Sequence, residues 1–238
     1  MKSKGKILVL GGSKGIGLEI IKFFNKSSIN TISVSRSQLN WKSKFNEEIY
    51  FDLLKFNNYE YLIESLIRFN ISSIVFNLGD GSLVHNDEKK QFQYSMDINF
   101  NYVKNFLRFV KDGRMNKVTD LILINSICRL KSSNCRSDYY KSKSMLYKYF
   151  KDNVVNFSLE NIRINSITLG DVYHDNSIWK NKFESKLDES EYLSKTKLNK
   201  KYVDVKDVVK TINFLLANKS IYGEDIVIDC GHSYFLNN

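Results

Sequence analysis

The chain of 238 residues has no proline and a single alanine, Ala217, while lysine, asparagine, isoleucine, tyrosine and phenylalanine abound. The abundant residues have A/T-rich codons and the scarce ones need G/C-rich codons, so an AT-rich genome accounts for the bias. That bias governs how the net charge of +10 is read. Charge of this size is the usual first sign of a nucleic-acid or acidic partner, but such a genome loads a surface with lysine whatever the partner. The basic residues are dispersed, and where they are densest, from Lys180 to Lys201, acids interleave with them. No nucleic-acid role is expected.

Cysteine is scarce too. Cys128, Cys135 and Cys230 are odd in number and lack metal-ligand spacing, so they are expected as reduced thiols of a cytoplasmic protein. His85, His174 and His232 are scattered, and no metal site is expected. No apolar stretch approaches the roughly 20 residues of a bilayer span, so no membrane role is expected. Lysines precede the run Ile7-Leu8-Val9-Leu10 as in an export signal, but glycines end that run at once, and it reads as a first strand. With 42% hydrophobic and 26% charged residues, the composition is that of a globular protein able to bury a large core.

Apolar strand-like runs alternate with amphipathic helix-like runs, which predicts an α/β fold with a parallel sheet covered on both faces. Strands are expected at residues 7–10, 31–35, 49–51, 73–77, 121–126, 163–168 and 225–229, and helices at 17–27, 59–69, 94–110, 138–157 and 206–217. The continuous apolar run at 121–124 predicts a central strand. No repeat or linker divides the chain. The charged segment 171–201, with Trp179, Phe183 and Tyr192 at irregular spacing, follows a strand end and is expected to be a substrate lid bordering a ligand crevice.

Three groups of residues carry chemistry. The turn Gly11-Gly12-Ser13-Lys14-Gly15-Ile16-Gly17 joins the first strand to the first helix. In that context glycines let the backbone approach a pyrophosphate, and the helix N-terminus offers it unpaired N–H groups. After the second strand an acid would bind the ribose 2′-hydroxyl of NAD, but Ser33-Val34-Ser35-Arg36-Ser37 has none. Arg36, with Lys14 from the glycine turn, suits a 2′-phosphate, so NADP(H) is expected over NAD(H). Tyr139 and Lys143, four apart, share one helical face. An ammonium near a phenol is expected to stabilise the phenolate, and such a tyrosine exchanges a proton with a carbonyl oxygen, which Ser126 also hydrogen-bonds. Spacing alone leaves open an accident of amphipathicity.

Taken together, these residues resemble the short-chain dehydrogenase/reductase family over essentially the full chain. The family's glycine turn matches Gly11, Gly15 and Gly17; its Tyr-x-x-x-Lys matches Tyr139 and Lys143, with Ser126 13 residues before the tyrosine. Its helical asparagine matches Asn99, its adenine-contacting acid Asp52, its Asn-Asn-Ala-Gly turn Phe76-Asn77-Leu78-Gly79, and its closing Asp-Gly-Gly Asp229-Cys230-Gly231. Leu10, Phe76, Leu78, Leu169 and His174 depart from the pattern, His174 where a threonine often meets the nicotinamide carboxamide.

The resemblance implies a single Rossmann-like doubly wound domain over 1–238 with about seven strands. It implies an NADP(H)-dependent oxidoreductase interconverting a carbonyl and an alcohol. Ser126, Tyr139, Lys143 and Asn99 are the expected catalytic set, and Gly11, Ser13, Lys14, Gly15, Ile16, Gly17, Arg36, Asp52, Asn77, Gly79, Tyr139 and Lys143 the expected cofactor contacts. The expected substrate is a small carbonyl or alcohol, including 3-oxoacyl groups on acyl carrier protein. The alternatives are a sugar or nucleotide-sugar ketone of bacterial surface-glycan synthesis, or a binding protein without turnover. A homo-oligomer, dimer or tetramer, is expected through the long helices around 94–110 and 138–157.

Overall fold

The computed structural model describes residues 5–52, 59–115, 117–130, 135–174 and 177–236. Strands β1 (Lys6–Leu10), β2 (Thr31–Ser35), β3 (Asn46–Tyr50), β4 (Ile71–Phe76), β5 (Asp120–Ser126), β6 (Arg163–Leu169) and β9 (Asp225–Ile228) form one seven-stranded parallel sheet. Their order is β3-β2-β1-β4-β5-β6-β9. The chain builds outward from β1 in one direction, then crosses back to place β4 on the other side. This reversal opens a crevice at the carboxyl ends of β1 and β4.

Both faces are apolar because successive side chains of a strand point to opposite faces. Leu8, Ile32, Ile74, Phe76 and Leu121 face one way and pack on α2 (Tyr59–Ile67), α4 (Tyr102–Lys111) and α5 (Ser137–Leu159) through Leu62, Phe106, Leu146 and Phe150. Ile7, Val9, Val75, Ile122 and Ile167 face α1 (Gly15–Lys26) and α7 (Val205–Ala217), meeting Ile20, Phe24, Val208 and Ile212. The ring of Phe76, a departure from the family pattern, turns into this core, edge-on to Phe106 at 5.6 Å between centroids.

The helix expected at 94–110 begins earlier. Asp87 caps α3 (Glu88–Met96) by accepting a bond from the Lys90 amide, and a π-helical turn, Asp97–Asn101, joins it to α4. The first residues of α3 are polar and leave no apolar stripe for periodicity to detect. Its one deeply buried side chain in that half is Gln91, whose amide accepts from Val84 and His85 N–H and donates to the Ser82 carbonyl and the Asp138 carboxylate. The loop after β4 is thereby fastened to the start of α5.

Segment 171–201 contains a short parallel pair, β7 (Val172–Tyr173) with β8 (Val203–Asp204) just beyond it, and α6 (Lys186–Thr196). Residues 175 and 176 of this expected lid lie outside the described residues. Its two ends are joined by a buried polar network: Lys197 Nζ reaches Asp171 Oδ2 and His232 Nδ1, both at 2.6 Å, and the Tyr192 hydroxyl donates to Asp171 Oδ2 at 2.6 Å. Burial, and the Lys197 ammonium, push the His232 imidazole below its ordinary range.

The expectation of three reduced thiols is corrected. Cys128 and Cys135 lie at a Cα separation of 5.8 Å and form a disulfide; Cys230 is free. No described helix is long and apolar enough to cross a membrane.

Across the sheet's amino end, Arg163 and Asp120 are both buried, and Arg163 Nε donates to Asp120 Oδ1 at 2.8 Å. Arg163 Nη1 also donates to the carbonyls of Leu215 and Asn218 at 2.6 and 2.8 Å, which ends α7 against β6. Removing one partner of such a pair strands the other charge. Asp120→Ala should therefore cost about 3–5 kcal/mol in urea unfolding; a loss below about 1 kcal/mol would mean that the carbonyls alone satisfy Arg163.

Candidate active site

A cavity of about 460 Å³ fills the crevice at the strand-order reversal. One end is made by the glycine turn. Asn77, at the end of β4, donates its side-chain amide to the Gly11 carbonyl at 3.0 Å, and a Cβ on Gly17 would lie 2.1 Å from that same oxygen. Only a residue without a side chain lets α1 start so close to β1. Gly11 itself has φ +85°, in the left-handed region. The N-terminus of α1 has no side-chain cap and no acid in its first turn. Its backbone N–H groups and positive dipole end are left for an anion in the cavity.

The other end lies between β5 and α5. Asn125 joins the two: its Oδ1 accepts the Ser126 N–H at 2.8 Å and its Nδ2 donates to the Lys143 carbonyl at 3.4 Å. The Ser126 hydroxyl accepts from Cys128 N–H at 3.2 Å and lines the same cavity as Tyr139. Lys143 Nζ donates to the Leu78 carbonyl at 3.3 Å and stands 5.8 Å from the Tyr139 ring centroid. Its neighbour along the chain, Ser142, bonds the Tyr139 carbonyl, holding the turn of helix that carries both. Tyr140 does not line the cavity.

Asn99 sits in the π-helical turn, a device that re-aims side chains and is frequent at functional sites. It is buried behind the cavity wall. Its Nδ2 donates to the carbonyls of Ser95 and Asp80 at 2.9 and 3.1 Å, and its Oδ1 accepts from Asp80 N–H at 3.0 Å. A Cβ on Gly79 would lie 2.9 Å from Lys143 Nζ and 3.2 Å from Asn99 Oδ1, so these two side chains flank the bare Gly79 backbone.

Gly11, Ser13, Lys14, Gly15, Ile16, Arg36, Asp52, Asn77, Gly79, Ser126, Tyr139 and Lys143 thus line one cavity, with Gly17 and Asn99 supporting it from behind. His174 lines the same cavity, its imidazole against the glycine turn, 2.8 Å from where a Cβ on Gly15 would be. Sequence reasoning missed Asp80, which directly follows the Gly79 turn, and Ser177. The Ser177 hydroxyl lines the cavity, buried and without a hydrogen-bond partner among the described residues. That orphaned hydroxyl, the uncapped helix and the glycine cradle fit a dinucleotide. Among the described residues no group of His, Cys, Asp and Glu could hold a metal ion.

Electrostatics correct one expectation. Burial pushes the Tyr139 phenol up to about 12, with the Asp80 charge acting the same way and the Ser126 hydrogen bond opposing. Burial also brings Lys143 down to about 8. The ammonium expected to stabilise the phenolate is itself desolvated, and the loss of hydration dominates both groups. Tyr139 is therefore a firmly protonated donor. For Lys143 the native state disfavours the charged form, so its contribution to stability rises with pH between about 8 and its ordinary 10.5. At pH 7 the buried ammonium costs on the order of 1–3 kcal/mol. Lys143→Met should raise the melting temperature of the ligand-free protein at pH 7 and flatten its rise towards pH 10; a lower melting temperature in the variant would show that the Leu78 bond outweighs desolvation.

A family model described as enoyl-(acyl carrier protein) reductase matches residues 67–233. No curated protein matches the chain by sequence. Among solved structures, a short-chain dehydrogenase family protein from Francisella tularensis subsp. tularensis SCHU S4 is 21% identical over 98% of this chain and 100% of its own, with a TM-score of 0.82. A 4-hydroxyisoleucine dehydrogenase complexed with NADH is 21% identical over 97% and 99%, with a TM-score of 0.84. ElxO with NADP bound is 22% identical over 99% and 100%, with a TM-score of 0.79. The matched model spans most of the sheet and every residue from Asn77 to Lys143 described above, and on that ground the chain belongs to the short-chain dehydrogenase/reductase family of oxidoreductases.

Proposed function

We propose that the protein interconverts a carbonyl and an alcohol with NADP(H), using Tyr139 as proton donor and acceptor. The observation carrying this reading is the convergence of Ser126, Tyr139 and Lys143 at one end of a cavity whose other end is an uncapped glycine turn. A bound nicotinamide supplies or accepts the hydride. Ser126 and Tyr139 together hold the substrate oxygen, and Tyr139 gives it a proton on reduction and takes it back on oxidation. Lys143, at the Leu78 carbonyl beside Tyr139, would hold the nicotinamide ribose, and Asn99 fixes the Gly79–Asp80 turn next to it.

At the far end Arg36 and Lys14 are assigned to the 2′-phosphate, Asp52 to adenine, and Ser13 and Ile16 to the pyrophosphate turn. Ser13 Oγ lies 3.1 Å from Ser37 Oγ, linking the glycine turn to the loop that carries Arg36. Trp179, which lines the cavity and stacks on Tyr192 at 5.5 Å, supports reading 171–201 as the lid of a single domain over a small-molecule carbonyl. An acyl chain on acyl carrier protein remains a substrate class to assay. Met145 of α5, 44% exposed, suits the expected dimer or tetramer.

Tyr139→Phe should abolish NADPH oxidation with any accepted carbonyl while leaving NADPH binding near wild type, and Tyr140→Phe should retain most activity. Full turnover in Tyr139→Phe would sink the mechanism. Arg36→Ala should weaken NADPH about tenfold, as expected of a charge-assisted contact worth roughly 1.5–3 kcal/mol, and leave NADH unchanged. Equal weakening of both in fluorescence titration would remove the basis for preferring NADP(H).

A further inference from the structure

Helix α6 contributes no buried residue, so apolar packing does not fix its place. Lys197, its C-cap, does lie inside the molecule, with 0% of its side chain exposed. A lysine is buried to that depth only when it is paired. Its Nζ is 2.6 Å from Asp171 Oδ2, where the chain leaves β6, and 2.6 Å from Nδ1 of His232, the first residue of α8 (His232–Leu236). An ammonium only donates, so Nδ1 accepts and a neutral imidazole carries its proton on Nε2. The next residue docks beside this cluster: Leu198 N–H donates to the Cys230 carbonyl at 3.0 Å, and the Leu198 side chain packs on the bare Gly231.

Contacts run from this buried cluster to the cavity without a gap. Asp171 Oδ2 accepts a second bond, from the Tyr192 hydroxyl at 2.6 Å. The Tyr192 ring stacks on Trp179, with centroids 5.5 Å apart and planes inclined by 23°. Trp179, in a 3₁₀ turn at Ile178–Asn181, lines the cavity. Asp171 is the joint in this line. Without Lys197 its carboxylate would be free to turn and would offer the phenol a range of positions; with Lys197 in place Oδ2 has one. Two apolar side chains of similar volume would serve stability as well as a buried ion pair does. What the pair adds is direction.

We infer that Lys197 is a positioning residue for the cavity: by pinning the Asp171 carboxylate it fixes Tyr192, and through Tyr192 it holds the Trp179 indole as a preformed wall. A substrate then meets an aromatic face already in place and does not have to order these side chains as it binds. The effect on substrate rests on the proposed carbonyl chemistry; the order of the wall does not.

The chain has two tryptophans, so Trp41→Phe leaves Trp179 as the sole reporter. In that background, acrylamide quenching of Trp179 is measured on the full chain without ligand, for Lys197→Met, Tyr192→Phe and Lys195→Met. Lys195 is an exposed control on the same helix, paired with Glu191. Lys197→Met should raise the quenching constant about twofold or more and shift the emission to the red, with the far-ultraviolet circular dichroism unchanged. Tyr192→Phe keeps the ring and loses the tether, and should move the constant the same way by a smaller factor. Lys195→Met should leave it at the background value. With an accepted carbonyl, Lys197→Met should raise KM about threefold or more and leave kcat within about twofold, as expected when side chains must be ordered on binding. Unchanged quenching in Lys197→Met overturns the inference, as does an equal rise in Lys195→Met. A looser Trp179 with unchanged KM overturns it too, since Lys197 would then be structural alone. If Lys197→Met does not fold, Tyr192→Phe decides on the same constant and KM. Wild-type protein that turned over no carbonyl would instead overturn the proposed function, and quenching alone would then decide whether Lys197 sets the wall.

Discussion

The close crossing of the first and fourth strand ends sets where everything else can be. Asn77 grips the Gly11 carbonyl, and α1 begins against that same oxygen because Gly17 has no side chain to collide with it. A side chain at Gly17 would meet both the Gly11 carbonyl and the Asn77 amide, and so push α1 away from β1 and β4 together. The strand-order reversal supplies a crevice in any doubly wound sheet. Here the bare backbone at Gly11 and Gly17 makes one wall of that crevice an array of N–H groups.

The opposite wall depends on a polar side chain rather than on a missing one. Asn125 is buried and bonds to both β5 and α5, so Ser126 and Lys143 are placed by one amide. Lys143 is then held almost wholly buried, against the Leu78 carbonyl. A group kept at such cost in ligand-free stability marks a site shaped by function more than by folding.

What was legible in the sequence was what is contiguous in it. The glycine turn and the Tyr139–Lys143 pair are short segments whose geometry follows from one strand-to-turn-to-helix unit or one helical face. The alternating apolar runs located each strand of the main sheet to within a few residues. Asn99 could be found only through resemblance, because nothing local distinguishes an asparagine in a π-helical turn. The start of α3 escaped because its residues are polar and its cap is a single aspartate. The Cys128–Cys135 bond was illegible because the spacing of cysteines does not say which of them the packing of the surrounding elements brings together.

The network beneath segment 171–201 has an evolutionary consequence. Asp171 leaves β6 and Lys197 ends α6, yet their side chains touch at 2.6 Å. The intervening residues therefore form a nearly closed excursion, tied at its neck and contributing no buried residue from α6 to the core. Such an excursion can be lengthened, shortened or rewritten without the sheet registering the change. If 171–201 is the proposed lid, its sequence can diverge at a pace that the cavity wall bound into β5 and α5 cannot match.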